Sequence, residues 1–492
     1  VTRFLAIILA FLCLSSPVAA QTISGGYSPS SADPRISTGA LSQREIGARV
    51  GIANQKSGSQ TRAGFRVWET NYVGSPPSIC VWNGYSNSAV AGVETGTGGV
   101  MSLKLYIEYP LGTTTALTWG GAATSSIASN AVQCSDPSPV APPAFAKYRL
   151  CGDIQMGTGG TIPSMGWSNS ADPSGGDEFQ GNTTSDYCAS ATALAKPAAQ
   201  AFMPQLILGQ SDKTVWAVGG GDSITAGVNY TQQQPSGGRG MLAALAEFGP
   251  VLNYGVPGDR ATWYATNSTI RRQMLGMGGA TSIVDELGIN DITNSRSLAN
   301  LLADRSTIRG LFPGLSVFET TIPPTTSSVD GYRTAANQTV AASSTVRVSF
   351  NQAMRAGVSG VAGVLDFAAE VETKPAFVGT ASFATNVMTV TAVTTGRIDV
   401  GDVITSAGVA AGTYVTSLGS GTGGAGTYNL STAPGTIAAQ AVTAPANEVG
   451  SSIDGGVWQP RCIYGSDGTH PVEQCERQSF APLVRAMQAT RR

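Results

Sequence analysis

Hydrophobic and polar positions alternate along this chain in short runs, not in long helical stripes. Phe65-Arg-Val-Trp68, Ile79-Cys-Val-Trp82 and Met101-Ser-Leu-Lys-Leu-Tyr-Ile-Glu-Tyr109 lie between Gly, Ser and Asn turns and predict strands. The last of them alternates most clearly and is expected to bury one face. From about Leu206 apolar runs alternate with helix-like segments, the order of an open α/β sheet. Val215-Trp-Ala-Val218 reads as a buried strand, Leu298, Leu301, Leu302 and Ile308 keep helical spacing, and Ser316-Val-Phe-Glu-Thr320 reads as the next strand, stopped by Pro323-Pro324. A helix ending near Ala356 and a buried strand over Val361-Ala-Gly-Val-Leu-Asp-Phe367 follow.

The pattern breaks in two places. Residues 21–62 are rich in Ser, Gly and Pro with little periodicity and predict an extended arm or linker. Residues 376–446 shift to Gly, Thr, Ala and Val, with Arg397, Asp399 and Asp402 as the only charged residues. They carry Val387-Met-Thr-Val-Thr-Ala-Val393 and Gly412-Thr-Tyr-Val-Thr416 in strand-like alternation. A structureless loop of that length is uncommon inside a compact domain, so this stretch reads as a small all-β insertion. The expected organisation is a signal peptide at 1–20, an arm at 21–62, a β-sandwich accessory domain at 63–205, an α/β catalytic domain at 206–375 and 447–492, and the β insertion at 376–446. Trp82, Trp119 and Trp167 of the first β domain are candidates for stacking on a sugar face, the competing role being core packing.

At the N-terminus Arg3 precedes an apolar run from Phe4 to Leu14, then Ser-Ser-Pro-Val-Ala-Ala20, the layout of a secretory signal cut after Ala20. The run is shorter than the roughly 20 residues that span a bilayer, so no stable membrane insertion is expected after cleavage. Valine at position 1 fits either a non-ATG bacterial start or a piece of a longer chain. Of seven cysteines, Cys13 leaves with the signal, and an even number remains, as suits a secreted or periplasmic bacterial protein. Cys462 and Cys475 bracket Asp467 and His470, where a bridge would close a short loop; the pairing of Cys80, Cys134, Cys151 and Cys188 stays open. A net charge of −2, no basic run and only 12% charged residues give no field for a phosphate backbone, so nucleic acid is excluded as a partner.

The chemistry gathers around Gly219-Gly-Gly-Asp-Ser-Ile-Thr-Ala-Gly227, where glycines stop the strand and leave Ser223 on a tight turn. A serine hydroxyl needs a base, and the chain has one histidine, His470, in Ser466-Asp-Gly-Thr-His-Pro471 with Asp467 three residues before it. Asn253-Tyr-Gly-Val-Pro-Gly258 and Gly288-Ile-Asn-Asp291 lie between them and offer donors for an oxyanion.

These four blocks, in this order, resemble the GDSL or SGNH hydrolases. The resemblance implies a flavodoxin-like, three-layer α/β/α catalytic domain. It also implies Ser223 as nucleophile and first backbone oxyanion donor, Gly255 as second donor through its N–H, Asn290 as third through its amide, His470 as base and Asp467 as its orienter. The first block departs by Ile224 where the family has leucine. The insertion resembles modules of phage tail and bacterial surface proteins. Neither a Gly-x-Ser-x-Gly elbow nor a His-Gly-Gly-Gly stretch is present, which disfavours an α/β-hydrolase. A lone histidine cannot build a multi-histidine zinc site, so no metal or other cofactor is expected. The expected activity is secreted serine esterase chemistry through an acyl-enzyme, with O-acetyl groups on carbohydrate as substrate. The alternatives are a lipase or short-chain acyl esterase, and a non-catalytic glycan-binding surface protein on the same scaffold. Oligomeric state has no signal in the sequence.

Overall fold

The computed structural model describes residues 37–47, 50–56, 58–166, 177–188, 194, 200–228, 240, 245–246, 249–421, 423–446, 456–463, 465–472 and 475. The signal segment, Cys13 and Trp167 lie outside them.

The N-terminal part builds two antiparallel sheets. One runs in the order Ser37–Glu45, Leu206–Lys213, Ser78–Trp82, Val132–Cys134, and the other in the order Glu178–Gly181, Arg62–Thr70, Lys147–Met156, Met101–Glu108, Thr114–Ala116. Alternation along Met101–Glu108 places Met101, Leu103, Leu105 and Ile107 inside, in the same core as Ile79, Val81, Leu206 and Leu208 of the first sheet. Cys80–Cys134 joins two adjacent strands and Cys151–Cys188 ties the second sheet to the segment after it.

Three expectations are corrected here. Residues 37–56 are not an arm: Ser37–Glu45 pairs with Leu206–Lys213, Ile46, Val50 and Ile52 are buried, and Val50 forms a parallel bridge to Leu252. Glu45 anchors this stretch, its fully buried carboxylate accepting the N–H groups of Gly47 and Ile207 at 2.7 and 2.8 Å. Burial pushes the Glu45 carboxyl up to about 8. The second correction is that Leu206–Lys213 belongs to the N-terminal sheet, so the α/β sheet starts at Trp216. Third, Trp82 and Trp119 are 0% and 5% exposed and pack in the core, which removes both as sugar platforms.

The second part is a parallel sheet with β1 (Trp216–Gly220), β2 (Val251–Leu252), β3 (Ser282–Asp285), β4 (Ser316–Thr320) and β5 (Gly363–Leu365). Their spatial order is β2-β1-β3-β4-β5, the order of flavodoxin-like doubly wound sheets. Its helices among the described residues are α1 (Ser223–Ala226), α2 (Ala261–Asn267), α3 (Thr269–Met277), α4 (Ile289–Thr293), α5 (Leu298–Gly310), α6 (Ser344–Ala356), α7 (Phe367–Val371) and α8 (Pro460–Ile463). With right-handed crossovers the connections β2 to β3, β3 to β4 and β4 to β5 fall on one face, which gives one helical layer. Residues 229–239 and 476–492 are outside the described residues. The chain switches strand order between β1 and its neighbours, so the loops after β1, β2 and β3 meet at the carboxyl ends, where such sheets place their sites.

The insertion folds on its own core. Five antiparallel strands, in the order Val415–Leu418, Gly426–Leu430, Val387–Thr395, Phe377–Ala384, Ile437–Ala444, bury Phe377, Phe383, Met388, Ile398, Tyr428 and Val442. Glu372–Thr373 pairs with Val457–Trp458 just outside it, so the chain returns to the α/β part where it left.

Candidate active site

The strand β1 is buried along its whole length and delivers the chain into Gly221-Asp222-Ser223. Asp222 caps α1, its Oδ1 accepting the N–H of Ile224 at 2.9 Å. Ser223 is therefore the first helical residue and is 8% exposed, and its N–H has no intrahelical acceptor. The loop after β2 is laced to this turn. Val256 N–H donates to Gly221 O at 2.9 Å, and the Asn253 amide donates to Thr225 O at 2.8 Å. Gly255 allows the approach, since a Cβ there would lie 2.8 Å from Ala226 N and 3.0 Å from Asp222 O.

His470 comes from the opposite end of the chain. Its Nε2 lies 2.7 Å from Ser223 Oγ and its Nδ1 2.7 Å from Asp467 Oδ2. Asp467 Oδ1 also accepts the N–H groups of Thr469 and His470 at 3.0 and 2.9 Å. Burial alone would raise the Asp467 carboxyl, but the hydrogen bonds from the His470 ring and from the two N–H groups outweigh it and hold the group well below the usual carboxylate range. With Nδ1–H donated to Asp467, the Nε2 lone pair is left for the serine hydroxyl.

The loop carrying this pair is fixed from several sides. Cys462–Cys475 closes it, and Val472 N–H donates to Cys462 O at 2.7 Å. Gly468 O accepts from Thr326 N–H and from the Trp458 indole, both at 3.0 Å. Gly468 has φ +85°, and its backbone passes directly over Thr326 and Tyr332.

The donors assigned to the oxyanion are engaged within the protein. Gly255 N–H donates to Asn253 Oδ1 at 3.1 Å. Asn290, the second residue of α4, gives its amide to Asp259 O at 3.0 Å and to Asp222 Oδ2 at 3.2 Å. Asp291 accepts Ala261 N–H at 2.8 Å and so ties α4 to the start of α2.

Two residues with no assigned role lie beneath the serine. Glu286 Oε2 accepts Asp222 N–H at 3.1 Å and the Thr225 hydroxyl at 2.8 Å, and both carboxyl groups are buried. Burial, then the neighbouring Glu286 charge, pushes Asp222 well above the carboxylate range, and burial pushes Glu286 up to about 7. Each of the two groups therefore binds a proton more tightly than an exposed carboxylate does. The only sequence signal for this is Asp285-Glu286, two adjacent acids closing an apolar strand.

No family model and no curated protein matches this chain. Among solved structures it is similar to GDSL-like esterases and carbohydrate esterases. A peptidoglycan O-acetylesterase aligns at 13% identity over 65% of this chain and 63% of that one, with a TM-score of 0.23. A family two carbohydrate esterase from Cellvibrio japonicus aligns at 10% identity over 61% and 89%, TM-score 0.22. The salicylyl-acyltransferase SsfX3 from a tetracycline biosynthetic pathway aligns at 14% identity over 67% and 82%, TM-score 0.25. The chain thus spans under two thirds of the first of these, and at such TM-scores the functional reading rests on this chain's own geometry.

Proposed function

We propose that this protein is a secreted or periplasmic serine ester hydrolase that works through an acyl-enzyme, with O-acetyl groups on carbohydrate as its substrate class. The observation that carries the reading is the unbroken line Ser223 Oγ, His470 Nε2, His470 Nδ1, Asp467 Oδ2, each contact 2.7 Å. In the first half-reaction Ser223 Oγ attacks the ester carbonyl carbon while His470 Nε2 takes its proton. The imidazolium is stabilised against Asp467, then gives the proton to the departing sugar alkoxide as the carbon–oxygen bond breaks. A water molecule, deprotonated by the same nitrogen, releases the acid and restores Ser223.

The oxyanion would be met by Ser223 N–H, Gly255 N–H and the Asn290 amide. Gly255 N–H has to leave Asn253 Oδ1, and Asn290 has to exchange its longer bond, the one to Asp222, for the oxyanion. The three disulfides fit an oxidising compartment.

The test is acetate release from an O-acetylated polysaccharide, beside chromogenic esters of increasing acyl length. Turnover of the polysaccharide and of the acetyl ester, falling steeply with chain length, is expected. An optimum at long acyl chains would make the protein a lipase, and no turnover of any ester would leave a binding protein on a hydrolase scaffold.

A further inference from the structure

Lys374 lies three residues before the insertion's first strand, and its side chain is fully buried. Its ammonium faces Asp402 Oδ2 and, at 3.6 Å, Asp399 Oδ2. The Asp402 side chain is 2% exposed. Arg397 Nε donates to the other oxygen of Asp399 at 3.0 Å, so two cations meet two anions. The ammonium carries three donors and has two carboxylate oxygens to receive them, a costly state for a buried charge.

The backbone holds the two chain segments against each other. Gly396 has φ +68°, and a Cβ on it would lie 2.4 Å from Ala376 O and 2.6 Å from Pro375 O, so the strand leaving Lys374 crosses directly over the 396–402 loop. Thr395 Oγ donates to Ala376 O at 3.2 Å, and Asp402 is pinned through its carbonyl by Val415 N–H at 2.9 Å. Bond formation between the two groups requires the ammonium to pass a proton to the carboxylate it faces, which leaves an amine against a carboxylic acid. An uncharged lysine amine is a nucleophile, and fixed contact supplies the orientation the reaction needs.

We propose that Lys374 and Asp402 condense to an intramolecular isopeptide bond, with Asp399 relaying the proton. Lys374 Nζ attacks Asp402 Cγ and forms the carbon–nitrogen bond. Asp399 Oδ2 takes a proton from Nζ and passes it to the departing hydroxyl, the carbon–oxygen bond breaks, and one water leaves. No oxidant, reductant or co-reactant is needed. The product resolves the donor mismatch: its single N–H faces Asp399 Oδ2, and its carbonyl keeps the Asp399 N–H that Asp402 Oδ2 accepts at 2.6 Å. Arg397 and Asp399 remain as a balanced pair. The bond would anchor the insertion where it joins the α/β part, and it would withstand reduction, unlike the disulfides. It is independent of the esterase reading.

Mass spectrometry of the purified, reduced protein decides the matter. The expected mass is lower than that of its sequence by one water. Trypsin does not cut at Lys374 because Pro375 follows, so peptides 356–397 and 398–461 should appear as one branched species. The full sequence mass and two separate peptides would overturn the proposal. Lys374→Met should show the full mass, and Asp399→Ala should accumulate the unlinked form; complete linkage in Asp399→Ala would overturn the relay.

Discussion

Replacing Gly468 by alanine perturbs His470 without touching any reacting atom. A Cβ at this position would lie 1.9 Å from Thr326 O and 2.2 Å from the Tyr332 hydroxyl, where real Cβ contacts essentially never fall under 3.0 Å. Thr326 is held in a strand paired to 338–340, so the loop has to move, by at least the 1.1 Å between 3.0 and 1.9 Å. The left-handed φ adds about 1–2 kcal/mol of backbone strain for a residue with a side chain. Asp467 and His470 flank Gly468 on the same short loop, so a displacement of that size carries Nε2 out of its 2.7 Å contact with Ser223. Misplacement by an ångström costs about 10²-fold in rate. The expected result for Gly468→Ala is kcat on a chromogenic acetyl ester reduced by about that factor, KM little changed, and a cooperative thermal transition at lower temperature. A folded variant with kcat within about twofold of the parent would refute the reasoning.

Asn290→Ala should lower kcat by about 10²- to 10³-fold with KM nearly constant, as for loss of a transition-state donor; a change confined to KM would make Asn290 a substrate-binding residue. Glu286 remains protonated in the fold up to about 7 while the unfolded chain ionises from its ordinary 4.5, so the folded state binds more protons between those values and this group's contribution to stability falls as pH rises. Glu286→Gln should therefore match the parent's Tm near pH 5 and gain on it towards pH 8, and a Tm difference independent of pH would contradict the assignment. The Cys462→Ser, Cys475→Ser variant should lose about 3 kcal/mol of stability on the chain-entropy estimate. Its kcat should fall less than tenfold, because Thr326 and Trp458 also hold the loop. A loss near 10²-fold would make the bridge the chief restraint.

The residues now facing Ser223 were legible in the sequence because the histidine is unique and the glycine-stopped strand predicts a turn that exposes a small side chain. In the α/β part periodicity predicted the strands at 216–220, 316–320 and 363–365 and the helices at 298–310 and 344–356, whereas Val251–Leu252 and Ser282–Asp285, of two and four residues, are too short to show a period. The paired stretch at 37–56 was not legible: it has only a few apolar residues, Ile46, Val50 and Ile52 among them, and its strand exists through pairing with Leu206–Lys213, a tertiary contact that outweighs local composition. For Trp82 and Trp119 the sequence left core packing and sugar stacking open, since a five-residue strand does not show that both of its faces are covered, as they are for Ser78–Trp82. The raised carboxyls of Asp222 and Glu286 and the prior engagement of the Asn290 amide arise from burial and from contacts between three separate loops, which no local pattern reports.

The central claim is that Ser223 is acylated during turnover, and the direct measurement is covalent labelling by a serine-directed fluorophosphonate followed by peptide mapping, run beside Ser223→Ala. The account predicts one adduct on Ser223, loss of ester turnover in step with labelling, and a folded Ser223→Ala variant whose turnover is lower by about 10⁴-fold or more. Full ester turnover by that variant, or complete labelling at another residue, would contradict it.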